Sequence, residues 1–138
     1  MERRPMPIRL LLADDNLDFL CSLRSMLQRS ADIVVVAEAV SGPEAVALAL
    51  THRPDVSLLD VRMPGFSGIE AARQICEHWR EAVVILLSMN VENAYLAEAA
   101  RAGALGYLAK TVNDTELVES IRLAVSGGTC FTSSSTGQ

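Results

Sequence analysis

Asp55-Val56-Ser57-Leu58-Leu59-Asp60-Val61-Arg62-Met63-Pro64-Gly65-Phe66-Ser67-Gly68 is the stretch that decides how this chain folds. Its first six residues are a short run with an apolar centre that ends in a carboxylate, as a strand buried on both faces would. Met63 to Gly68 is a loop by composition. Ile69, Ala72, Ile75, Cys76 and Trp79 then recur at the spacing of an amphipathic helix. The unit is a strand, a polar loop and a helix, and it repeats in both directions.

Toward the N-terminus, Ile8 to Ala13 is an apolar run that stops at Asp14-Asp15. Leu17, Leu20, Leu23 and Leu27 follow at helical spacing between Asn16 and Gln28. Ile33 to Ala37 is continuous and β-branched, the pattern of a buried strand. Ser41 with Glu44 three residues later forms a capping box that opens a helix to about Leu50. Toward the C-terminus, Ala82 to Leu87 reads as a strand ending at Ser88, and Val91 to Ala102 as a helix broken by Gly103. Gly106 to Ala109 is a fifth strand, ending at Lys110. Asn113 and Glu116 open a last helix that runs through Val125 and is stopped by Gly127-Gly128. Five β-α units in succession imply an α/β fold: one doubly wound, five-stranded parallel sheet with right-handed crossovers. Residues 1–7 read as a lead-in, 8–128 as one domain and 129–138, rich in Ser and Thr, as a linker or tail.

Composition agrees with one globular domain. The 138 residues are half hydrophobic and 21% charged, enough for a core without a disulfide or metal staple. A net charge of −5, with the 12 basic residues scattered, argues against a DNA-binding surface on this piece. Cys21, Cys76 and Cys130 show no CxxC spacing; Cys21 and Cys76 sit among apolar residues and are expected to be buried, reduced thiols. No segment approaches the roughly 18 apolar residues of a transmembrane helix, and the basic start lacks a signal peptide's apolar stretch. The expected location is the cytoplasm.

Four of the five expected strands end in residues able to do polar chemistry: Asp14-Asp15, Asp60, Ser88 and Lys110. Ligands of open α/β sheets bind beyond these carboxyl ends, near the switch in strand order. If that order is 2-1-3-4-5, the three aspartates converge there, with Ser88 one strand away and Lys110 one further. Carboxylates crowded in this way repel one another unless a cation intervenes. An all-oxygen set with room for water suits Mg²⁺, and the absence of His and Cys disfavours zinc. A hydroxyl and an ammonium are what the outer oxygens of a phosphoryl group require. The set reads as a carboxylate that attacks phosphorus, a metal that neutralises charge and two groups that hold the product. Singly, each residue has a plainer explanation as a turn, a cap or a solvated charge. Their joint placement at successive strand ends is the signal.

With these residues in place the chain resembles the receiver domain of two-component response regulators, from about Ile8 to Gly128. The likeness is carried by Leu11-Leu12-Ala13-Asp14-Asp15-Asn16, by Leu58-Leu59-Asp60-Val61-Arg62-Met63-Pro64-Gly65 with Gly68 following, and by Gly103-Ala104-Leu105-Gly106-Tyr107-Leu108-Ala109-Lys110. The resemblance implies the flavodoxin-like order 2-1-3-4-5. It implies that Asp60 accepts phosphate from a phosphohistidine on a sensor histidine kinase, so that the domain is a switch and no turnover enzyme. Asp15 would bind Mg²⁺ directly, Asp14 through water, Asp60 by its carboxylate and Arg62 by its backbone carbonyl. Lys110 would pair with the phosphate, Ser88 would donate a hydrogen bond to it, and Tyr107 would turn inward when Ser88 moves. Leu87-Ser88-Met89, the Gly106–Lys110 strand and Gly127-Gly128 resemble the LuxR-type subgroup, which implies a C-terminal helix-turn-helix DNA-binding domain, absent from this chain, and a homodimer on phosphorylation. Two positions depart from the common pattern: Thr111 stands where many receivers have proline, and Met89 is bulkier than the usual small residue.

Two other readings compete. A haloacid-dehalogenase-type hydrolase also uses an Asp nucleophile with Mg²⁺, but it carries a DxD pair, whereas here Asp60-Val61-Arg62 lacks the second acid. A receiver-like interaction module without phosphorylation would have no need of all five polar residues.

Overall fold

The computed structural model describes residues 7–89 and 93–131, with the backbone alone at 93 and 94. Most of the lead-in, the start of the helix read from Val91, and residues 132–138 of the tail lie outside the described residues. The elements alternate as expected: β1 (Ile8–Ala13), α1 (Leu17–Leu27), β2 (Ile33–Ala39), α2 (Gly42–His52), β3 (Val56–Asp60), α3 (Gly68–His78), β4 (Val84–Ser88), α4 (Asn93–Ala102), β5 (Gly106–Ala109) and α5 (Asp114–Val125). The strands are all parallel, in the order β2-β1-β3-β4-β5.

The sheet nevertheless has six strands where five were expected. Cys130–Phe131 forms a short β6 that pairs with β5, Gly106 opposite Cys130 and Tyr107 opposite Phe131. It lies within the stretch read as linker or tail, and two residues are too few to show a strand period. What places them is the backbone edge of β5, whose unpaired groups take up the Cys130 segment; the Cys130 amide donates to the Leu105 carbonyl at 2.8 Å. β2 also continues two residues beyond Ala37, to Ala39.

Alternation along the strands splits the core in two. Leu11, Ala13, Leu59, Leu86 and Tyr107 point to the side covered by α2, α3 and α4. Leu10, Leu12, Leu58, Ile85, Leu87 and Leu108 point to the side covered by α1 and α5. This two-sided burial is why the strands read as largely apolar runs, with Ser57 of β3 a buried polar exception, and why their charged residues lie at or near the ends.

The helix starts are set by side chains. Ser41 Oγ accepts from the Glu44 amide, but the Glu44 carboxylate reaches back to the Val40 amide, one residue before the cap. Asn113 caps α5 in the same way, accepting from the Glu116 amide at 2.8 Å. Ser67 does so for α3, through the Glu70 amide, a Ser-x-x-Glu signature that marks this helix start in the sequence as well. Cys21 departs from expectation: it is exposed on the outer side of α1, because the buried stripe of that helix runs through Leu20, Leu23 and Leu27. Cys76 is half-buried and not in a disulfide, its thiol donates to the Gly103 carbonyl at 3.7 Å, and burial pushes its pKa up.

Candidate functional site

Strand register brings the polar residues together. Ala13 lies beside Leu59, so the next residues along, Asp14 and Asp60, end adjacent strands. Asp60 lies beside Leu87, and Ser88 beside Ala109. Backbone bonds extend the ladder past the strand ends: the Asp14 amide donates to Ala39 and the Lys110 amide to Ser88. A cleft of about 660 Å³ opens above them, lined by Asp14, Asp15, Asp60, Arg62, Ser88 and Lys110 among others. All the residues singled out for the site from sequence border it except Tyr107.

The loop after Asp60 is anchored twice. The Gly68 amide donates to the Val61 carbonyl at 2.8 Å, closing the loop onto the end of β3. The Gly42 amide at the start of α2 donates to the Pro64 carbonyl at 3.0 Å. Gly65 has φ of 87°, a left-handed conformation that glycine adopts without strain.

The charges are arranged around Lys110. Its Nζ lies 2.6 Å from Asp14 Oδ2 and 3.3 Å from Asp60 Oδ2. Asp14 is 2% exposed and Asp60 6%, so both carboxylates are held largely out of water. Asp14 Oδ1 accepts from the Asn16 amide at 2.9 Å. Asp14 Oδ2 has the ion pair with Lys110 but no hydrogen bond of good geometry. Burial, and next the Asp14 charge, push the Asp60 pKa up to about 6, although Lys110 draws it down. Burial disfavours the Lys110 ammonium, but its contacts with Asp14 and Asp60 outweigh this, and its pKa is raised.

Asp14, Asp15 and Asp60 can each direct one oxygen to a common point, the three atoms lying within 4.8 Å of one another. The buried, poorly satisfied Asp14 oxygen and the exposed Asp15 fit a hard divalent cation that keeps part of its water shell. Arg62 is exposed, and its amide donates to Asp60 Oδ1 at 3.4 Å. The carbonyl of the same residue belongs to the loop that borders the cleft.

Tyr107 is wholly buried, in the core on the α2–α4 side of the sheet. Expected to turn inward on activation, it already lies inward here. Phe19 was not singled out from the sequence, yet its ring centroid is 4.6 Å from Lys110 Nζ. Phe19 lies in α1 and Lys110 just past the end of β5, far apart in the chain, so no local pattern could have shown the contact. Met89 is 68% exposed and borders the cleft with Tyr95 and Glu98 of α4.

Comparison with known proteins agrees with this fold. The response regulator receiver domain family matches residues 10–122. The transcriptional regulatory protein LiaR of Bacillus subtilis is 39% identical over 120 residues, covering 87% of this chain and 57% of its own length. The response regulator UvrY of Escherichia coli is 38% identical over 120 residues, covering 87% and 55%. This chain thus spans somewhat more than half the length of those relatives. Among solved structures, the signal receiver domain of a NarL response regulator from Mycobacterium tuberculosis superposes with a TM-score of 0.86 at 34% identity, over 89% of this chain and 99% of the other. A LuxR-family two-component response regulator from Aurantimonas sp. SI85-9A1 gives 0.86 at 32% identity, over 90% and 89%. The chain belongs to the response-regulator receiver domain family. Within it, the likeness extends to LuxR-family regulators.

Proposed function

We propose that this domain accepts a phosphoryl group on Asp60 from the phosphohistidine of a sensor histidine kinase. The observation that carries this reading is the position of Lys110 Nζ against both Asp14 and Asp60 at the mouth of the cleft. A carboxylate oxygen of Asp60 forms the new P–O bond as the P–N bond to the donor imidazole breaks, and the freed imidazole nitrogen takes up a proton. Lys110 pairs with an outer phosphoryl oxygen, and the Ser88 hydroxyl donates to another. Asp14, Asp15, the Asp60 carboxylate and the Arg62 carbonyl are the groups that would hold Mg²⁺. When bound, Mg²⁺ neutralises charge between the aspartates and the incoming anionic donor.

The domain acts in this reading as a switch, with the donor supplied by the kinase. The product adds about −1.5 to −2 charge and strong acceptor oxygens beside Ser88. Ser88 then moves toward the phosphate, and repacking around Tyr107 passes the change to the face of α4 and β5. From the likeness to LuxR-family regulators, the proposed output is a C-terminal DNA-binding domain, controlled through a homodimer formed on phosphorylation. The net charge of −5 supports assigning DNA binding to a part of the protein other than this piece. No described helix is long and apolar enough to cross a membrane; a cytoplasmic location is proposed from the kinase partnership.

The test is incorporation of acid-labile phosphate from a small phosphodonor with and without Mg²⁺. The wild-type chain should label only with the metal, and Asp60→Asn should not label at all. Labelling of Asp60→Asn at the wild-type rate would overturn the assignment.

A further inference from the structure

We propose that Phe19 is a positioning residue for Lys110, its ring face holding the ammonium at the gap between Asp14 and Asp60. This rests on the reading above, in which Lys110 is the cation that meets the phosphoryl group.

Lys110 borders two spaces at once. On one side is the acidic cleft. On the other is a smaller, mostly apolar pocket of about 120 Å³ between α1 and α5, walled by Phe19, Leu23, Leu87 and Leu117 among others, together with Ser22 and Asp114. Asp14 and Asp60 line only the first space and Phe19 only the second. The ammonium is therefore approached by carboxylate oxygens at 2.6 and 3.3 Å from the cleft and by a ring centroid at 4.6 Å from the smaller pocket.

A lysine is a point charge on a flexible four-carbon stem, so two carboxylates alone leave its head several positions. The negative face of an aromatic ring attracts a cation, most strongly where water is excluded. Lys110 meets that condition, its side chain being 11% exposed. A third carboxylate would hold the ammonium as well, but it would add negative charge to a site that must admit an anionic donor. A ring holds the cation without adding net charge.

Phe19 is itself fixed by the segment that carries the acidic pair. Its amide donates to the Asn16 side chain at 3.1 Å, and the Asn16 amide donates to Asp14 Oδ1 at 2.9 Å. The helix cap thus ties the Asp14 carboxylate and the Phe19 backbone into one turn.

The experiment compares Phe19→Leu, Phe19→Tyr and replacement of Phe19 by pentafluorophenylalanine, which keeps the ring's shape and reverses its face charge. Each is made in the wild type and in Lys110→Met. Phosphorylation by phosphoramidate with Mg²⁺ is one readout. The other is the NMR shift of the Lys110 ε-methylene without Mg²⁺, which a nearby ring face moves upfield. The leucine and pentafluorophenylalanine forms should phosphorylate roughly tenfold more slowly, and Phe19→Tyr should stay within about twofold of wild type. None should differ from its parent in Lys110→Met. The upfield shift should be present in the wild type and lost in Phe19→Leu. A wild-type rate with pentafluorophenylalanine, an equal loss in Lys110→Met, or an unshifted ε-methylene in the wild type overturns the proposal. If Lys110→Met is itself phosphorylated at the wild-type rate, the reading of Lys110 fails first and takes this inference with it.

Discussion

Gly68 packs so closely on Asp60 that a Cβ built on the glycine would fall 2.1 Å from the Asp60 carbonyl oxygen. Both atoms in that clash are tied to backbone: the Gly68 amide is bonded to Val61, and the Asp60 carbonyl belongs to the end of β3. Neither can turn aside as a flexible side chain would. The start of α3 is thus seated directly on the strand end that presents the candidate phosphoacceptor.

Gly68→Ala should therefore push the β3–α3 loop off the strand end. We expect a loss of about 1–3 kcal/mol in unfolding free energy, the usual cost of overpacking a filled site, together with slower phosphorylation of Asp60. Denaturant unfolding and phosphodonor labelling check the two effects. A variant of wild-type stability and rate would show that the close seat has no consequence.

Asp60 itself should lower stability at neutral pH when no divalent cation is bound. Its pKa is raised from 3.8 to about 6, chiefly by burial, so the folded state binds the proton more tightly than the unfolded chain does. Stability attributable to this group is present below about pH 4 and is lost as pH rises through about 6. Asp60→Asn removes the penalty and should be more stable than wild type by about 1–2 kcal/mol above pH 6. The gap should close toward pH 4. Thermal unfolding in a chelating buffer at pH 4, 6 and 7.5 measures this, and equal melting temperatures at pH 7.5 would refute it.

Lys110→Met should separate metal binding from phosphotransfer. The ammonium now occupies the charge gap between Asp14 and Asp60, where it opposes a second cation. Its removal should tighten Mg²⁺ binding severalfold by calorimetric titration while slowing phosphorylation. Weaker Mg²⁺ binding in this variant would mean that Lys110 holds the carboxylates in place and does not compete for them.

Much of the architecture was legible in the sequence because it is written in local signals. Apolar runs bounded by polar residues mark β1 to β5, and Ser41 and Asn113 mark helix starts from three residues away. The acidic and basic residues of the candidate site were legible too, since strands buried on both faces keep most of their charged groups at or near their ends. Tertiary structure decided what depends on contacts between distant residues. Register set which aspartates meet Lys110, and the open edge of β5 captured Cys130 and Phe131 as a sixth strand. Helix phase turned Cys21 to the solvent and Phe19 toward Lys110, a partner 91 positions away by residue number. A local pattern records which face a residue belongs to; only the closed sheet brings two such faces to the same ammonium.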